Sequence, residues 1–321
     1  MHCSEESLYN RKLYFQLQVY KSVWYLAIVT FLWGSSFSLT GHFLAGQVDS
    51  YFAVFIRTLA GTLIFLPFMV WRNLPSRLIA GLWAAGALQF GITYALSYQS
   101  YTLLTVPEML LFTTQTPLYI SLINNALERR FNPWTLLAAM FAVSGGIVIH
   151  YHPLTGHFWK GFWLLQLANL TFAAGQVLCR RLLLKYKPDV ALPRLFGHFF
   201  LGAICITGPL YYFFGQQGHL PQSGAQWSVL IYLSVVATAL GSYWLAKGST
   251  LVSVATLSVF NELHVPVGLI INMLLWGNDV PLLRLFAGCC LIAVAIGINY
   301  SRPSRPLSPS RAGESASSSS L

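Results

Sequence analysis

Most of the chain is built from apolar segments long enough to cross a lipid bilayer. A membrane-spanning helix needs about 20 apolar residues, and segments of that size alternate here with short polar breaks. The sequence therefore predicts an all-α integral membrane protein with ten transmembrane helices. The predicted spans cover residues 22–43, 50–71, 77–98, 102–124, 134–151, 159–179, 191–214, 225–246, 249–276 and 282–300.

Charge distribution predicts the orientation of these spans and argues against a nucleic-acid partner. Charged residues form 9% of the chain, compared with about 25% in soluble proteins. The net charge is +10, but the basic residues flank the apolar segments, as topology signals do. If the N-terminal end is cytoplasmic, every basic residue except Arg57, Lys160 and Arg284 falls in a cytoplasmic segment or tail. We therefore predict a multi-pass protein of the inner (plasma) membrane with both termini in the cytoplasm, embedded in the lipid bilayer.

The ninth predicted span, residues 249–276, carries polar groups at its middle. These are Asn261, Glu262 and His264, followed by Pro266. A charge at the bilayer centre costs on the order of 3 kcal/mol on insertion scales, so such a group indicates a function. Pro266 removes a backbone donor and predicts a break in this helix. A polar, broken helix at mid-membrane is typical of the substrate site of a carrier.

The two halves of the chain match each other weakly after a fixed shift. Laying Pro117 on Pro266 also lays Tyr94 on Tyr243, and the segments GGIVIHY and VAIGINY end the two halves. Ten spans divide into two sets of five. Because five is odd, the second set must enter the membrane from the opposite side. The sequence therefore predicts inverted repeats, with a site at their interface.

The predicted domains follow from this division. The first five-helix repeat covers residues 22–151 and the second covers 152–300. Residues 1–21 are predicted to form a cytoplasmic or interfacial N-terminus. Residues 301–321 are rich in Ser, Pro and Arg, which predicts a disordered cytoplasmic tail.

Several passages resemble the EamA branch of the drug/metabolite transporter superfamily. They are FLWGSSF (31–37), FIRTLAG (55–61), the passage around TVPEMLLFTTQTPLYISLI and the passage from ALGSYWLAKGS to NELHVPVGL. The resemblance covers residues 22–300 and implies a ten-helix carrier of small metabolites. It also implies a central cavity lined mainly by spans one, three, four, six, eight and nine. The second half, with HFWKGFWLLQLANLTFAAGQVL, is similar to the bacterial biotin transporters of this branch, whereas the long Ser/Pro tail is not expected there.

The polar residues of span nine are candidates for substrate binding and proton coupling. Glu262 and His264 lie two positions apart and point about 200 degrees apart on a regular helix, unless Pro266 distorts the turn. Glu262 is a candidate proton carrier or ligand, His264 a group that switches protonation near neutral pH, and Asn261 a neutral donor and acceptor. The alternative is a structural hydrogen-bonded group that anchors span nine to its neighbours.

Two charged residues lie at similar depth in spans two and four. Arg57 and Glu108 each stand six or seven residues from the predicted outer end, so an ion pair is expected. The alternative is that Arg57 binds a substrate carboxylate and Glu108 is displaced or protonated.

Amide and aromatic side chains complete the candidate substrate site. Asn169 and Gln176 are seven residues apart on span six, hence on one face, and their amides suit a ureido or carboxyl group. Interhelical hydrogen bonding is the alternative. Tyr94, Tyr243 and Trp33 are candidates for the aromatic walls of a cavity, although such residues also form interfacial belts. Pro117 and Pro266 are the predicted helix breaks.

No known catalytic motif, phosphate-binding glycine loop or metal-ligand spacing occurs in the sequence, and no cofactor is implied. We therefore predict a secondary transporter that moves a small molecule by alternating access. Biotin uptake is the leading function, with a similar small carboxylate or amino acid as another possible substrate. The alternatives are an exporter of amino acids or related metabolites and, in another class, an intramembrane enzyme that uses Glu262 and His264 as acid and base.

Overall fold

The computed structural model describes the greater part of the predicted membrane domain. It covers residues 23–72, 74–127, 156–186, 190–250, 252, 254–277 and 282–301, with isolated positions between 133 and 148. All regular structure in these ranges is helical. The predicted N-terminal segment 1–21 and nearly all of the tail lie outside the described residues.

Ten helices can be labelled in chain order. Six of them, α1, α2, α3, α6, α7 and α8, are long and apolar enough to cross a bilayer within the described part of the chain. The protein is thus an all-helical, multi-pass membrane protein, and the count of ten spans stays a prediction. The helices are α1 (Val23–Leu44), α2 (Ser50–Phe68), α3 (Ser76–Ser100), α4 (Val106–Thr113), α5 (Thr116–Leu127), α6 (Gly156–Tyr186), α7 (Leu192–Phe214), α8 (Gly224–Ser249), α9 (Val254–Trp276) and α10 (Leu282–Ser301).

Polar side chains begin several of these helices by satisfying free backbone amides. The Asp49 side chain accepts a hydrogen bond from the Phe52 amide at the start of α2. The carboxylate of Glu108 accepts from the Thr105 amide in a capping box before α4. Because the first amides of a helix have no intrahelical partner, these contacts fix where each helix begins.

The two predicted helix breaks behave differently. The fourth predicted span is interrupted at Thr114 and Gln115, directly before Pro117, which is the second residue of α5. Proline suits the first turn of a helix, where its missing amide is not needed. The break predicted at Pro266 is wrong, since α9 is continuous from Val254 to Trp276 with Pro266 inside it. Its φ is compatible with a helix, so one lost hydrogen bond does not end α9.

Glycines allow two pairs of helices to pack with their backbones in contact. A methyl group on Gly34 of α1 would lie 2.9 Å from the Gly268 nitrogen of α9. On α3 and α7 the arrangement is reciprocal, because a methyl on Gly86 would overlap the Phe199 carbonyl and one on Gly202 the Trp83 carbonyl. Small residues are the usual means of close helix packing in membranes. These close contacts fix the relative positions of helices that surround the interior of the bundle.

Two helices contain π-helical segments in their middle. These are residues Ala87–Ile92 in α3 and Tyr232–Leu240 in α8. π-Segments often occur beside functional sites because they change which face a side chain occupies. Tyr94 follows the first segment, and Thr238 lies within the second.

Candidate functional site

A cavity with apolar walls and a few polar groups lies between the helices. The space that the centre of a water molecule can reach is about 110 Å³, whereas a single water needs about 10–15 Å³. The cavity can therefore hold a small molecule. The described residues that line it are Trp33, Ser36, Phe37, Thr40, Arg57, Thr93, Tyr94, Ser97, Tyr98, Tyr101, Thr113, Thr116, Asn169, Phe172, Asn261 and His264.

The strongest charge on the cavity wall is the guanidinium of Arg57, which is 5% exposed. Its Nε donates to Thr238 Oγ1 at 2.9 Å, its Nη1 to the Tyr98 hydroxyl at 3.1 Å and its Nη2 to the Tyr94 hydroxyl at 3.1 Å. The guanidinium carbon also lies 4.2 Å from the centre of the Tyr94 ring. These contacts hold the guanidinium from three sides.

The hydrogen-bond partners of Arg57 in the described part of the chain are neutral hydroxyls. A guanidinium has five N–H groups, so donors remain beyond these three bonds. Burying a charge is costly unless an opposite charge accompanies it, and a cation over an aromatic ring recovers only part of that cost. The site therefore suits an anionic group of a bound molecule.

A second polar group on the wall consists of amides from α6 and α9. Asn169 Nδ2 donates to the Phe112 carbonyl at 2.8 Å, and Asn261 Nδ2 donates to Gln176 Oε1 at 3.1 Å. Asn169 and Asn261 are buried and line the cavity, whereas Gln176 lies behind Asn261. Their amides can both donate to and accept from a polar ligand.

His264 lies three residues after Asn261 on α9, hence on the same helix face, and both line the cavity. Its Nε2 is 3.5 Å from Thr113 Oγ1, and its ring stacks on Phe37 with centroids 5.4 Å apart. Nδ1 is buried and has no hydrogen-bond partner among the described residues. His264 therefore presents a polar atom and a flat apolar surface within one wall.

Aromatic rings form much of the remaining wall. The Nε1–H of Trp33 donates to the Ala237 carbonyl at 3.2 Å, and the Trp33 ring packs edge-on against Phe172 with ring centroids 5.6 Å apart. Tyr101 donates to the Phe37 carbonyl at 3.3 Å. Because the polar atoms of Trp33 and Tyr101 are already hydrogen-bonded to the protein, their rings offer apolar surface to a ligand.

The structure brings most of the predicted site residues together. Trp33, Arg57, Tyr94, Asn169, Asn261 and His264 all line the cavity. Gln176 is not among the described lining residues, and its hydrogen bond with Asn261 connects it to the cavity wall. The side chain of Glu262 lies outside the described residues, so its role stays a prediction.

Two predicted residues have other positions. Tyr243 is not among the described residues that line the cavity; its ring packs near Phe65 and Phe196, at 6.0 and 5.8 Å, in an aromatic core. The predicted pairing of Arg57 with Glu108 is replaced by hydroxyl partners for Arg57 and by the capping of α4 by Glu108. Equal depth does not decide pairing, because Arg57 bonds hydroxyls of α3 and α8 and Glu108 accepts from the Thr105 amide at the start of its own helix.

Sequence reasoning missed several members of the cavity wall. Tyr101 lies seven residues after Tyr94, hence on the same helix face, and this spacing was a usable signal. Thr238 is the residue of α8 that bonds Arg57, and no pattern in the sequence marks it. The described lining comes from the helices of spans one, three, four, six and nine, as the resemblance implied, with Arg57 of α2 in addition. Span eight was also implied, but α8 contributes none of the described lining residues and meets the site through the bond of Thr238 to Arg57.

Metal chemistry has no support in the described residues, which hold no group of His, Cys, Asp or Glu suited to a metal ion. What the arrangement provides is one fixed cation, several amide groups and aromatic walls. Such a set can bind a small molecule that has a carboxylate, a polar ring and an apolar portion.

Comparisons with known proteins agree on a transporter. Residues 20–151 and 159–300 each match the model of the EamA-like transporter family. A probable biotin transporter of Pseudomonas aeruginosa is 50% identical over 275 residues, which cover 86% of this chain and 96% of that protein. The biotin transporters of Salmonella typhimurium and Escherichia coli K12 are 40% and 38% identical, and each match covers 85% of this chain and 91% of the relative.

A solved crystal structure has the same fold. It superposes with a TM-score of 0.64 at 15% sequence identity, and the match covers 87% of this chain and 96% of the other. At this identity the likeness concerns the fold alone.

Proposed function

This chain belongs to the EamA-like transporter family, and from that membership we propose that it is a secondary transporter that takes up biotin by alternating access. The observation that carries the proposal is the 50% identity to a probable biotin transporter over 86% of the chain. The cavity supports it, since its groups match a molecule with a carboxylate, a polar ring and an apolar chain.

We propose that Arg57 binds the carboxylate of the substrate. A guanidinium recognises a carboxylate through two parallel hydrogen bonds, and Arg57 has N–H groups beyond those used by Thr238, Tyr94 and Tyr98. Of the two hypotheses raised by the sequence for Arg57, the hydroxyl partners favour carboxylate capture over a structural ion pair.

The ureido ring of biotin is assigned to the amide side of the cavity. Asn169, Asn261 and His264 offer donors and acceptors there, and Gln176 orients Asn261 by accepting its amide hydrogen. Trp33 and Tyr94 cover the apolar portions. Glu262, one turn from these groups in sequence, is proposed as the carrier of a coupled proton.

The architecture proposed for this function is ten helices in two inverted repeats, residues 22–151 and 152–300. Two features support it. The π-segments of α3 and α8 overlap when the sequence is shifted so that Pro117 meets Pro266. The helices also pack reciprocally: α3 of the first repeat packs against α6 and α7 of the second, and its counterpart α8 packs against α2 of the first. α8 also contacts α1, because Trp33 Nε1 donates to the Ala237 carbonyl. Inverted repeats allow the two access states to be related by symmetry.

The proposed location is the inner membrane with both termini in the cytoplasm. Support comes from the basic residues, which concentrate at one set of helix ends, such as Arg180 and Arg181 in the last part of α6. In this orientation α1 runs outward and α6 runs inward.

Uptake of labelled biotin into bacteria that lack their own biotin transport tests the function. We expect uptake above the vector control, lost when a proton gradient is abolished, and Glu262→Gln should lose net uptake while keeping biotin exchange. No uptake by protein that is present in the membrane would remove the biotin proposal. Expulsion of preloaded amino acids would support the exporter alternative, and a chemically altered substrate recovered from liposomes would support an enzyme.

A further inference from the structure

A second, much smaller space lies next to the cavity, between α3, α6, α7 and α8. The part that the centre of a water molecule can reach is about 10 Å³, which is roughly the room for one water. Its described lining includes Gln89, Gln176, Cys179, Arg180 and Ser242. The space is too small for a substrate in this conformation, but its wall carries polar groups that a packed apolar core would not need.

One hydrogen bond separates this space from the cavity. Asn261 lines the cavity and Gln176 lines the small space, and Asn261 Nδ2 donates to Gln176 Oε1 at 3.1 Å. Gln176 is 5% exposed, and its Nε2 has no hydrogen-bond partner among the described residues. An unpaired buried donor is costly, so this amide suits an acceptor group that enters the space.

The other end of the small space is closed by Arg180. Its Nε donates to the Ser249 carbonyl at 3.1 Å and its Nη2 to the Val252 carbonyl at 3.2 Å. These carbonyls belong to the end of α8 and its connection to α9. Arg180 therefore ties α6 to that connection, directly over the small space.

The chemistry of the small space suits an anion. Arg180 supplies a guanidinium and Gln176 an unused N–H donor, and none of the described lining residues is acidic. A carboxylate accepts from both kinds of donor and is the usual partner of arginine. In the orientation proposed above, the space lies on the cytoplasmic side of the cavity.

We propose that this space is the closed inner part of the substrate passage, and that Arg180 and Gln176 form a second carboxylate-binding site there. The site opens when Arg180 releases the Ser249 and Val252 carbonyls. A carboxylate then passes from Arg57 to Arg180 on its way to the cytoplasm, with no change in covalent structure. The inference rests on the proposed transport of a carboxylate, although the closure by Arg180 does not depend on which carboxylate is carried.

Cys179 provides a reporter because it lines the small space and is buried. We would replace Cys3, Cys205, Cys289 and Cys290 by serine and measure the rate at which N-ethylmaleimide labels Cys179 in inside-out membrane vesicles. Arg180→Gln should raise this rate about tenfold or more, because two charge-assisted hydrogen bonds that keep the space closed are lost. Lys185→Gln is the matched control, since it removes a charge from the same helix end without touching the two carbonyls, and it should label at the parent rate.

A second variant keeps the test decisive if Arg180→Gln folds poorly. Arg180→Lys retains the charge, but a single ammonium cannot reproduce the two guanidinium contacts, so labelling should again rise several-fold. Labelling of either folded variant at the parent rate would overturn the proposed closure.

The carboxylate assignment is tested with two ligands of similar shape in Arg180→Lys, which keeps a cation at the site, and in Arg180→Gln, which lacks one. In Arg180→Lys, saturating biotin should slow the labelling of Cys179 several-fold and neutral biotin amide should not, whereas in Arg180→Gln neither ligand should slow it. Equal slowing by both ligands in Arg180→Lys, or slowing by neither, would overturn the second carboxylate site. Failure of biotin uptake with intact Arg180-dependent labelling would instead count against biotin as substrate and leave the closure supported, so the two failures are distinguishable.

Discussion

Two arginines lie beside interior spaces of this protein, and their partners differ. Arg57 in α2 donates to three neutral side-chain hydroxyls and lies over the Tyr94 ring. Arg180 in α6 donates to two backbone carbonyls at the connection between α8 and α9, and it is only half-buried. The contrast therefore lies in the partners: side-chain hydroxyls of α3 and α8 hold Arg57, and backbone carbonyls of the connection between α8 and α9 hold Arg180.

This difference separates binding from closure. Hydroxyls on neighbouring helices hold the Arg57 guanidinium in place, so a ligand carboxylate meets a preorganised donor. Carbonyls at a helix end lack intrahelical partners, so Arg180 satisfies them while it holds two elements together. Arg57 suits recognition of a ligand, and Arg180 suits a contact that breaks and re-forms. The predictions below test this contrast.

The largest effect on ligand binding is expected from Arg57→Gln. Each hydrogen bond to a charged group contributes about 1.5–3 kcal/mol, and about 1.4 kcal/mol corresponds to a tenfold change, so losing a two-bond contact should weaken biotin binding by about 100-fold or more. Isothermal titration calorimetry on purified protein in nanodiscs measures the dissociation constant. Arg180→Gln is the comparison and should change this constant by less than about threefold, because Arg180 donates to the Ser249 and Val252 carbonyls in this conformation and is not among the described residues of the cavity wall.

Equal losses of affinity in the two arginine variants would end the contrast between them. A folded Arg57→Gln protein that binds biotin normally would show that its carboxylate lies elsewhere. Neutral biotin amide sharpens the result, because Arg57→Gln should weaken its binding far less than that of biotin.

An intermediate effect on biotin binding is expected from the hydrogen bond between Asn261 and Gln176, which lies between the cavity and the small space. Asn261→Ala removes a cavity amide and should weaken biotin binding about tenfold, since one hydrogen bond to a buried group is worth about 1 kcal/mol and its loss leaves ligand atoms unpaired. Gln176→Ala breaks the same bond from the other side and should change binding by less than about threefold. It should, however, speed the labelling of Cys179.

The pair of variants distinguishes a ligand-binding amide from a purely structural bond. If Asn261 and Gln176 serve only to hold α9 to α6, both alanine variants should weaken biotin binding equally. Thermal unfolding of each protein without ligand checks that neither effect comes from general loss of stability.

The helices were largely predictable from the sequence. Span seven was placed at 191–214 and α7 is Leu192–Phe214, because apolar length alone sets such limits. Besides the interrupted fourth span, α6 differs from its prediction. Its predicted end at residue 179 marks the end of the apolar run, whereas the helix continues to Tyr186 and carries Arg180 over the small space. Basic residues mark the membrane boundary and do not mark the end of a helix.

The members of the site were more predictable than their contacts. Intramembrane polar residues are few, so Arg57, Asn169, Asn261 and His264 could be chosen by type and position. Their partners come from distant parts of the chain, such as Thr238 for Arg57 and Gln176 for Asn261. The rotation of each helix about its own axis decides which side chains meet, and a single sequence gives no direct measure of that rotation. The π-segment of α8 shifts the face on which Thr238 lies, which periodicity alone does not predict.

The smallest effect on biotin binding is expected from a comparison of Tyr94 and Tyr243, which occupy corresponding positions in the repeat. The Tyr94 hydroxyl accepts from Arg57 Nη2, and Tyr94→Phe should weaken biotin binding about fivefold, since it removes one hydrogen bond worth about 1 kcal/mol that positions the guanidinium. Tyr243 packs near Phe65 and Phe196, outside the described cavity wall, so Tyr243→Phe should leave the dissociation constant within about twofold. Calorimetric titration of both variants under the same conditions gives the comparison. Equal weakening in both would mean that the repeat brings the two tyrosines to equivalent roles in another conformation, and it would move Tyr243 back into the substrate path.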